Sequence, residues 1–576
     1  MKKIGIFLCV ILSLFGIKQT VLAEASVTML TVSNVTAEAN SEIDVPIKIS
    51  DNTGLCGATV SVSYDEKLKL TEVSNGDALS SMTFTKPGDF SSNPVKLVWD
   101  NVETDNTNGT IAVLTFKVPN ETGTYNISVS YKDDEVVDGD LNPVKLNVTN
   151  GSIKVSDKED ITGNCGEKAK WRLNANGVLT IYGNGAMKNY TYKSEMPWYK
   201  YLSKIKAVVV EEGITSIGDY AFYGMTDTTE ITIPEGVTTI GAYAFKNSTK
   251  IVDVKLPSTL KKLGESAFYG CTSLRKIAIP EGLYTIWGYT FKNCTSLTEV
   301  TLPDSLIKID EAAFYGCSSL KKIVIPQNAS IIGIYCFKNC SKLSEVSLPG
   351  SMTKIREAAF YGTAITEITI PDSVTAVGSY AFKNCAKLKK INLPKELKTI
   401  EESAFYACKE LTELILPSNV TTIGNYAFRR CEGLQKVEFS DNLNMIGECA
   451  FYGCSNLSEL ILPEGITEIG AYAFKNCTNV ITVSLPSTLK IIGDSGFYEC
   501  IHIKSIEIPK SVNKIGNYAF SRCSELNTIT FKGDAPTIAE YTFARVKANA
   551  YYPGNNATWT KDKLKNYGGT LTWKQN

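Results

Sequence analysis

The sequence predicts a mainly β protein in two parts, an N-terminal β-sandwich followed by a solenoid with a parallel sheet and short helical turns. Three observations carry this. Short alternating apolar runs between Gly, Asn, Asp and Pro turns fill residues 26–155. Phenylalanine then recurs from 222 to 543 in steps of 23 residues, with one step of 22 between Phe360 and Phe382. Finally, the segments flanking that series depart from its pattern, as the ends of a stacked array must.

Taken in order, MKKIGIFLCVILSLFGIKQTVLAEA opens with two lysines, runs apolar from Ile4 to Ile17, and places Val21 and Ala23 for cleavage. This reads as a signal peptide over 1–23 and predicts a secreted or cell-surface chain without membrane insertion. The whole sequence carries a formal charge of −1, and loss of Lys2, Lys3 and Lys18 takes the mature chain to −4. No basic bias points to nucleic acid.

Residues 24–156 hold IDVPIKIS, GATVSVSY, VKLVWD, IAVLTFKV, YNISVSY and VKLNV. Their order, with YDEKL at 64–68 and the closing NGSIKV, resembles cohesin modules. That resemblance implies a jelly-roll sandwich that recruits a dockerin-bearing protein. A short charged linker, 157–163, follows.

From there the array is predicted as an N-terminal cap over 164–212, about fifteen 23-residue units over 213–545, and a C-terminal cap over 546–576. The unit LRKIAIPEGLYTIWGYTFKNC at 274–294 contains the plan. Leu274, Ile277 and Ile279 alternate as a strand that Pro280 ends. Leu283 and Ile286 mark a second inward-facing segment, and a turn leads to a short helical piece with Phe291 and Cys294. Glycine stands four residues before Phe in ten of the fifteen units, where a tight turn entry is needed. These residues resemble the BspA-type leucine-rich repeats of bacterial surface proteins, and the likeness spans 164–576.

Several features test for chemistry. Cysteines 271, 294, 317, 340, 385, 408, 431, 454, 477, 500 and 523 each lie three residues after a repeat Phe. The reading is a buried column of free thiols used as small hydrophobes, with metal or redox use as the alternative. His502 is the single histidine and falls in a turn, so neither a triad nor a histidine metal site has its parts. Outward strand positions alternate in sign through Glu299, Lys322 and Glu345, then through Glu367, Lys390, Glu413, Lys436 and Glu459, which turns like-charge repulsion into ion pairs. Tyrosine alternates between the place after Phe, as in Tyr315, and two places before it, as in Tyr335. Lys292 and Lys338 stand at the levels where Tyr is missing. This predicts ridge packing in a two-coil unit of about 46 residues.

The expectation is a non-enzymatic adhesion scaffold with no catalytic, cofactor or metal residues. Its solenoid would contact a host or bacterial surface macromolecule or polysaccharide, and the resemblance supplies dockerin as the sandwich's partner. The alternative is a carbohydrate-binding accessory protein whose sandwich grips polysaccharide near Trp99.

Overall fold

A computed structural model describes residues 27–156 and 160–576. The predicted signal peptide lies outside the described residues, as do residues 157–159 of the predicted linker. The chain forms two compact units divided between Glu159 and Asp160.

The first unit contains β1 (Thr28–Val32), β2 (Val35–Glu38), β3 (Glu42–Ser50), β4 (Leu55–Tyr64), β5 (Lys69–Asn75), β6 (Thr83–Thr85), β7 (Val95–Asp105), β8 (Gly109–Lys117), β9 (Gly123–Ser130), β10 (Val136–Val137), β11 (Leu146–Thr149) and β12 (Gly151–Ser156). They form two sheets in the orders β11-β1-β3-β8-β5 and β2-β12-β9-β4-β7-β6, with β10 added against β4. Period-two alternation sends Val45, Ile47 and Ile49 inward from one sheet and Val60, Val62, Leu97 and Trp99 inward from the other.

The second unit starts with the antiparallel strands Ile161–Asn164, Ala169–Leu173 and Val178–Gly183. Ile161–Asn164 draws three predicted linker residues into this unit by pairing its backbone with the Trp171 strand. Trp171 and Trp198 then pack edge to face, and Trp198 stacks on Phe222, the first ring of the array.

Each coil contributes to two parallel ladders. The first carries three-residue strands such as Lys276–Ala278 and Glu299–Thr301; the second carries pairs such as Thr399–Ile400 and Thr422–Ile423. From Lys354–Ile355 to Thr537–Ile538 the second ladder runs unbroken through nine strands. All fifteen repeat phenylalanines are fully buried, with neighbouring rings stacked 5.1 to 5.7 Å apart.

The short helical turns are single hydrogen-bonded turns, and none grows into an α-helix. In the Phe291 coil, Lys292 N–H bonds Tyr289 O and Cys294 N–H bonds Phe291 O, while the N–H groups of Tyr289, Phe291 and Asn293 reach Glu311, Ala313 and Tyr315 of the next coil. Alternate donors are thus committed outside the coil. Tyr289 (φ 59°) and Asn293 (φ 60°) also take left-handed backbone, which a helix cannot absorb.

At the far end Phe531, Tyr552, Trp559 and Trp573 form one aromatic cluster over the last coils. Apolar area that stacking would otherwise leave wet is covered there.

Candidate binding surfaces

The cysteine column is part of the core. All eleven column thiols are buried and unpaired by disulfide, as are the other described cysteines. Each Sγ donates to the carbonyl of the Phe one coil earlier, as Cys294 does to Phe268 O (3.1 Å) and Cys523 to Phe497 O (3.2 Å). Ser248 makes the same bond to Phe222 O at 2.9 Å, which explains a polar residue in this series. Burial pushes Cys271 and Cys477 up to about 12, so these are neutral donors rather than thiolate ligands.

The tyrosine ridge packs as its alternation predicts. Lys292 lies over Tyr289 of its own coil (5.2 Å) and over Tyr269 and Tyr315 of the two flanking coils (5.6 and 4.7 Å). Lys338 and Arg429 repeat this arrangement. Among the described residues tyrosine rings stack on one another only near the ends of the series, at Tyr220–Tyr223, Tyr220–Tyr243 and Tyr518–Tyr541. The Tyr335 hydroxyl donates to Glu357 (2.7 Å) and the Tyr380 hydroxyl to Glu402 (2.9 Å), so the ridge spends its polar atoms internally. These bonds, with burial next, raise both phenols.

The position two after Phe is left-handed in every coil and alternates Gly with Asn from Gly224 to Asn384, as in Gly316 (φ 72°) and Asn339 (φ 62°). Asn339 Nδ2 reaches back to the Tyr315 hydroxyl, while a Cβ on Gly316 would stand 2.4 Å from Asn293 Oδ1. A large and a small residue therefore alternate here as well.

On the charged face the first ladder resolves into two-stranded sheets. Lys276 pairs with Glu299 (3.2 Å), Lys322 with Glu345 (3.1 Å), Lys390 with Glu367 (3.5 Å) and Lys436 with Glu413 (3.8 Å). Each ion pair falls within one of these sheets, whose strands belong to adjacent coils. Between sheets the strands part, and one opening, about 360 Å³, is lined by Val300, Leu302, Val324, Glu299 and Lys322. The two-coil unit is therefore visible in backbone pairing as well as in the ridge. All these ion pairs are solvent-exposed, so each contributes less than about 1 kcal/mol.

Other candidates resolve plainly. Trp99 is fully buried between the sandwich sheets, donates from Nε1 to Asn75 Oδ1 (3.3 Å) and packs on Phe84. Its own ring therefore offers no platform for a polysaccharide. His502 is a partly exposed turn residue whose Nδ1 lies 2.8 Å from Glu525. Among the described residues no group of three His, Cys, Asp or Glu side chains is arranged to hold a metal ion. Nor is any helix among them long and apolar enough to cross a membrane.

Sequence reasoning missed one surface. Tyr284, Trp287 and Ile307 stand exposed on the second ladder, in and beside the unit used to illustrate the repeat. The available signal was that Trp287 occupies the position that is glycine in ten units.

A cohesin domain model matches residues 28–155. The model described as BspA type leucine-rich repeat region, six copies, matches five overlapping stretches that together span 196–558. A leucine-rich repeat protein from Bacteroides ovatus is 24% identical over 73% of this chain and 99% of its own, with a TM-score of 0.53, and shares the repeat fold. One from Eubacterium ventriosum is 28% identical over 63% of this chain and 95% of its own, with a TM-score of 0.39. A chain of a type I cohesin–dockerin complex from Clostridium thermocellum is 18% identical over 23% of this chain and 99% of its own, with a TM-score of 0.21. No curated protein matches the sequence. With the repeat model covering more than half of its length and the same coil stacked throughout that stretch, the chain belongs to the BspA-type leucine-rich repeat family.

Proposed function

We propose that this protein is an extracellular binding scaffold in which the array contacts a surface macromolecule and the sandwich recruits a dockerin-bearing protein. One observation carries the reading: a cohesin domain match at 28–155 and a BspA-type repeat match at 196–558 lie in one chain. Two modules of binding families in series make a connector, able to hold one partner near another and raise its effective concentration. The leader-like segment at 1–23 supports placement outside the cell. The array's polar groups are largely spent on neighbouring coils, which fits a role in presentation and contact.

Immobilised dockerin modules of several specificities test the sandwich half. The secreted chain is expected to be retained by at least one, and deletion of 24–156 to abolish retention. Indifference to every dockerin would remove the partner and leave the sandwich without this role.

A further inference from the structure

The residue four places before the repeat Phe lies against the backbone of the preceding coil. A Cβ on Gly264 would stand 2.5 Å from Ala242 N and Gly241 C, and one on Gly333 would stand 2.5 Å from Asp310 C. Glycine there permits close stacking. In the Phe291 coil this place holds Trp287, and at that coil the second ladder is interrupted: Lys262–Leu263 ends one sheet and Thr285–Ile286 begins the next. Trp287 is 43% exposed, whereas Trp99, Trp171, Trp198 and Trp559 are buried and Trp573 is packed on the core. Tyr284 is 59% exposed beside it in sequence, and Ile307, whose N–H bonds Tyr284 O at 2.9 Å, is 48% exposed. Elsewhere in the array the position of Tyr284 is mostly Thr, Lys, Asn or Ser. The ladder breaks once more, between Ile331–Ile332 and Lys354–Ile355 at the Arg356 coil, but the Phe291 coil is the one that joins a break to two exposed aromatic rings among the described residues. Such local departures from an otherwise consistent pattern mark functional positions.

We propose that Tyr284 and Trp287 are the aromatic platform of a carbohydrate-binding site on the array, taking one or two rings of a neutral glycan. The apolar C–H face of a pyranose packs on an aromatic ring face, while its hydroxyls project outward and require donors and acceptors. Both are at hand on the flanking coils. Lys308 Nζ and Asp310 Oδ2 form an ion pair of 2.8 Å on the next coil, and Lys261 occupies the Tyr284 position on the preceding one. The paired opposite charges suit a neutral polyol better than an anion. Size argues the same way. Three side chains at these exposures present roughly 300 Å², well under the ~800 Å² that a stable protein partner buries on each side. The inference rests on the array half of the reading above and names the class of its ligand.

The test uses the intact secreted chain with soluble xylan, mixed-linkage β-glucan and galactomannan, read by calorimetry and by acrylamide quenching of tryptophan fluorescence. At least one of the three is expected to bind and to protect Trp287. Trp287→Gly restores the commonest repeat residue, so the variant should melt at the same or a higher temperature while binding falls more than tenfold. Tyr284→Ala should weaken binding several-fold, and neither substitution should alter dockerin capture. The proposal is overturned if none of the three polysaccharides binds, if Trp287→Gly binds like the parent, or if protection of Trp287 follows protein concentration alone, which would mark self-association. Loss of dockerin capture with glycan binding intact would sink only the sandwich assignment.

Discussion

Cys408 Sγ donates to the carbonyl oxygen of Phe382, one coil away, at 3.3 Å. The same carbonyl also accepts the N–H of Cys385, so the thiol fills the acceptor's second site inside a sealed core. This one relationship, repeated along the column, explains why cysteine persists where no disulfide forms. It also predicts that Cys408→Ser, which keeps the donor, lowers stability less than Cys408→Ala, which loses it and leaves a small void. We expect about 1 kcal/mol between the two by urea unfolding.

Burial holds Cys294, Cys317 and Cys500 well above an ordinary thiol. Native chain at pH 8 should therefore resist alkylation by iodoacetamide over hours. In guanidinium a chain beginning at residue 24, which leaves out Cys9, should release fifteen reactive thiols without reductant. Recovery of markedly fewer would mean that disulfides form and would end the free-column account.

Ala407 holds a left-handed backbone (φ 57°) where five of the other coils with Tyr directly after Phe, those of Gly224, Gly270, Gly316, Gly362 and Gly453, use glycine. Ala407→Gly should raise stability by about 0.5–1 kcal/mol, because relief of the strained conformation outweighs the added freedom of the unfolded chain. The converse change, Gly316→Ala, adds strain and crowds Asn293 Oδ1, and its melting temperature should fall. Equal melting temperatures for both variants and the parent would count against this reading of the alternation.

Asp105 closes β7 nearly out of solvent, at 5% exposure. Burial alone would raise its carboxyl, but hydrogen bonds from the Ser81 and Thr107 hydroxyl and N–H groups overcome that and lower it to about 2. A depressed carboxyl stabilises above its unfolded value and loses that contribution as pH falls through the folded one. The sandwich should therefore lose about 2 kcal/mol between pH 4 and pH 2. Calorimetry across that range should show the loss in the parent and a flatter response in Asp105→Ala.

Phe405 stacks on Phe382 and Phe428 at 5.3 Å on either side. Phe405→Ala removes both contacts from the middle of the array, at a cost of roughly 3–5 kcal/mol. Coils pack chiefly on their immediate neighbours, with the exposed Lys354–Glu401 ion pair reaching two coils, so the array should unfold in two steps rather than one. A single transition, merely shifted, would show longer-range coupling than the stacking supplies.

Much of this molecule was legible in the order of its residues. A 23-residue period with Phe and Cys held constant determines a stacked coil, because only stacking covers a face that one coil leaves exposed. Tyrosine alternating with lysine determines a two-coil unit, because two rings and one long stem fill the ridge where three rings would not. What the period could not convey was how each backbone donor is shared between its own turn and the next coil. That sharing is non-local, and it makes the expected helical pieces into left-handed turns. The exposure of Trp287 and the burial of Trp99 were likewise decided only in three dimensions. Both are tryptophans amid apolar neighbours in sequence, yet Trp99 points between two sheets while Trp287 occupies a seam where ten coils carry glycine, and there the ladder breaks.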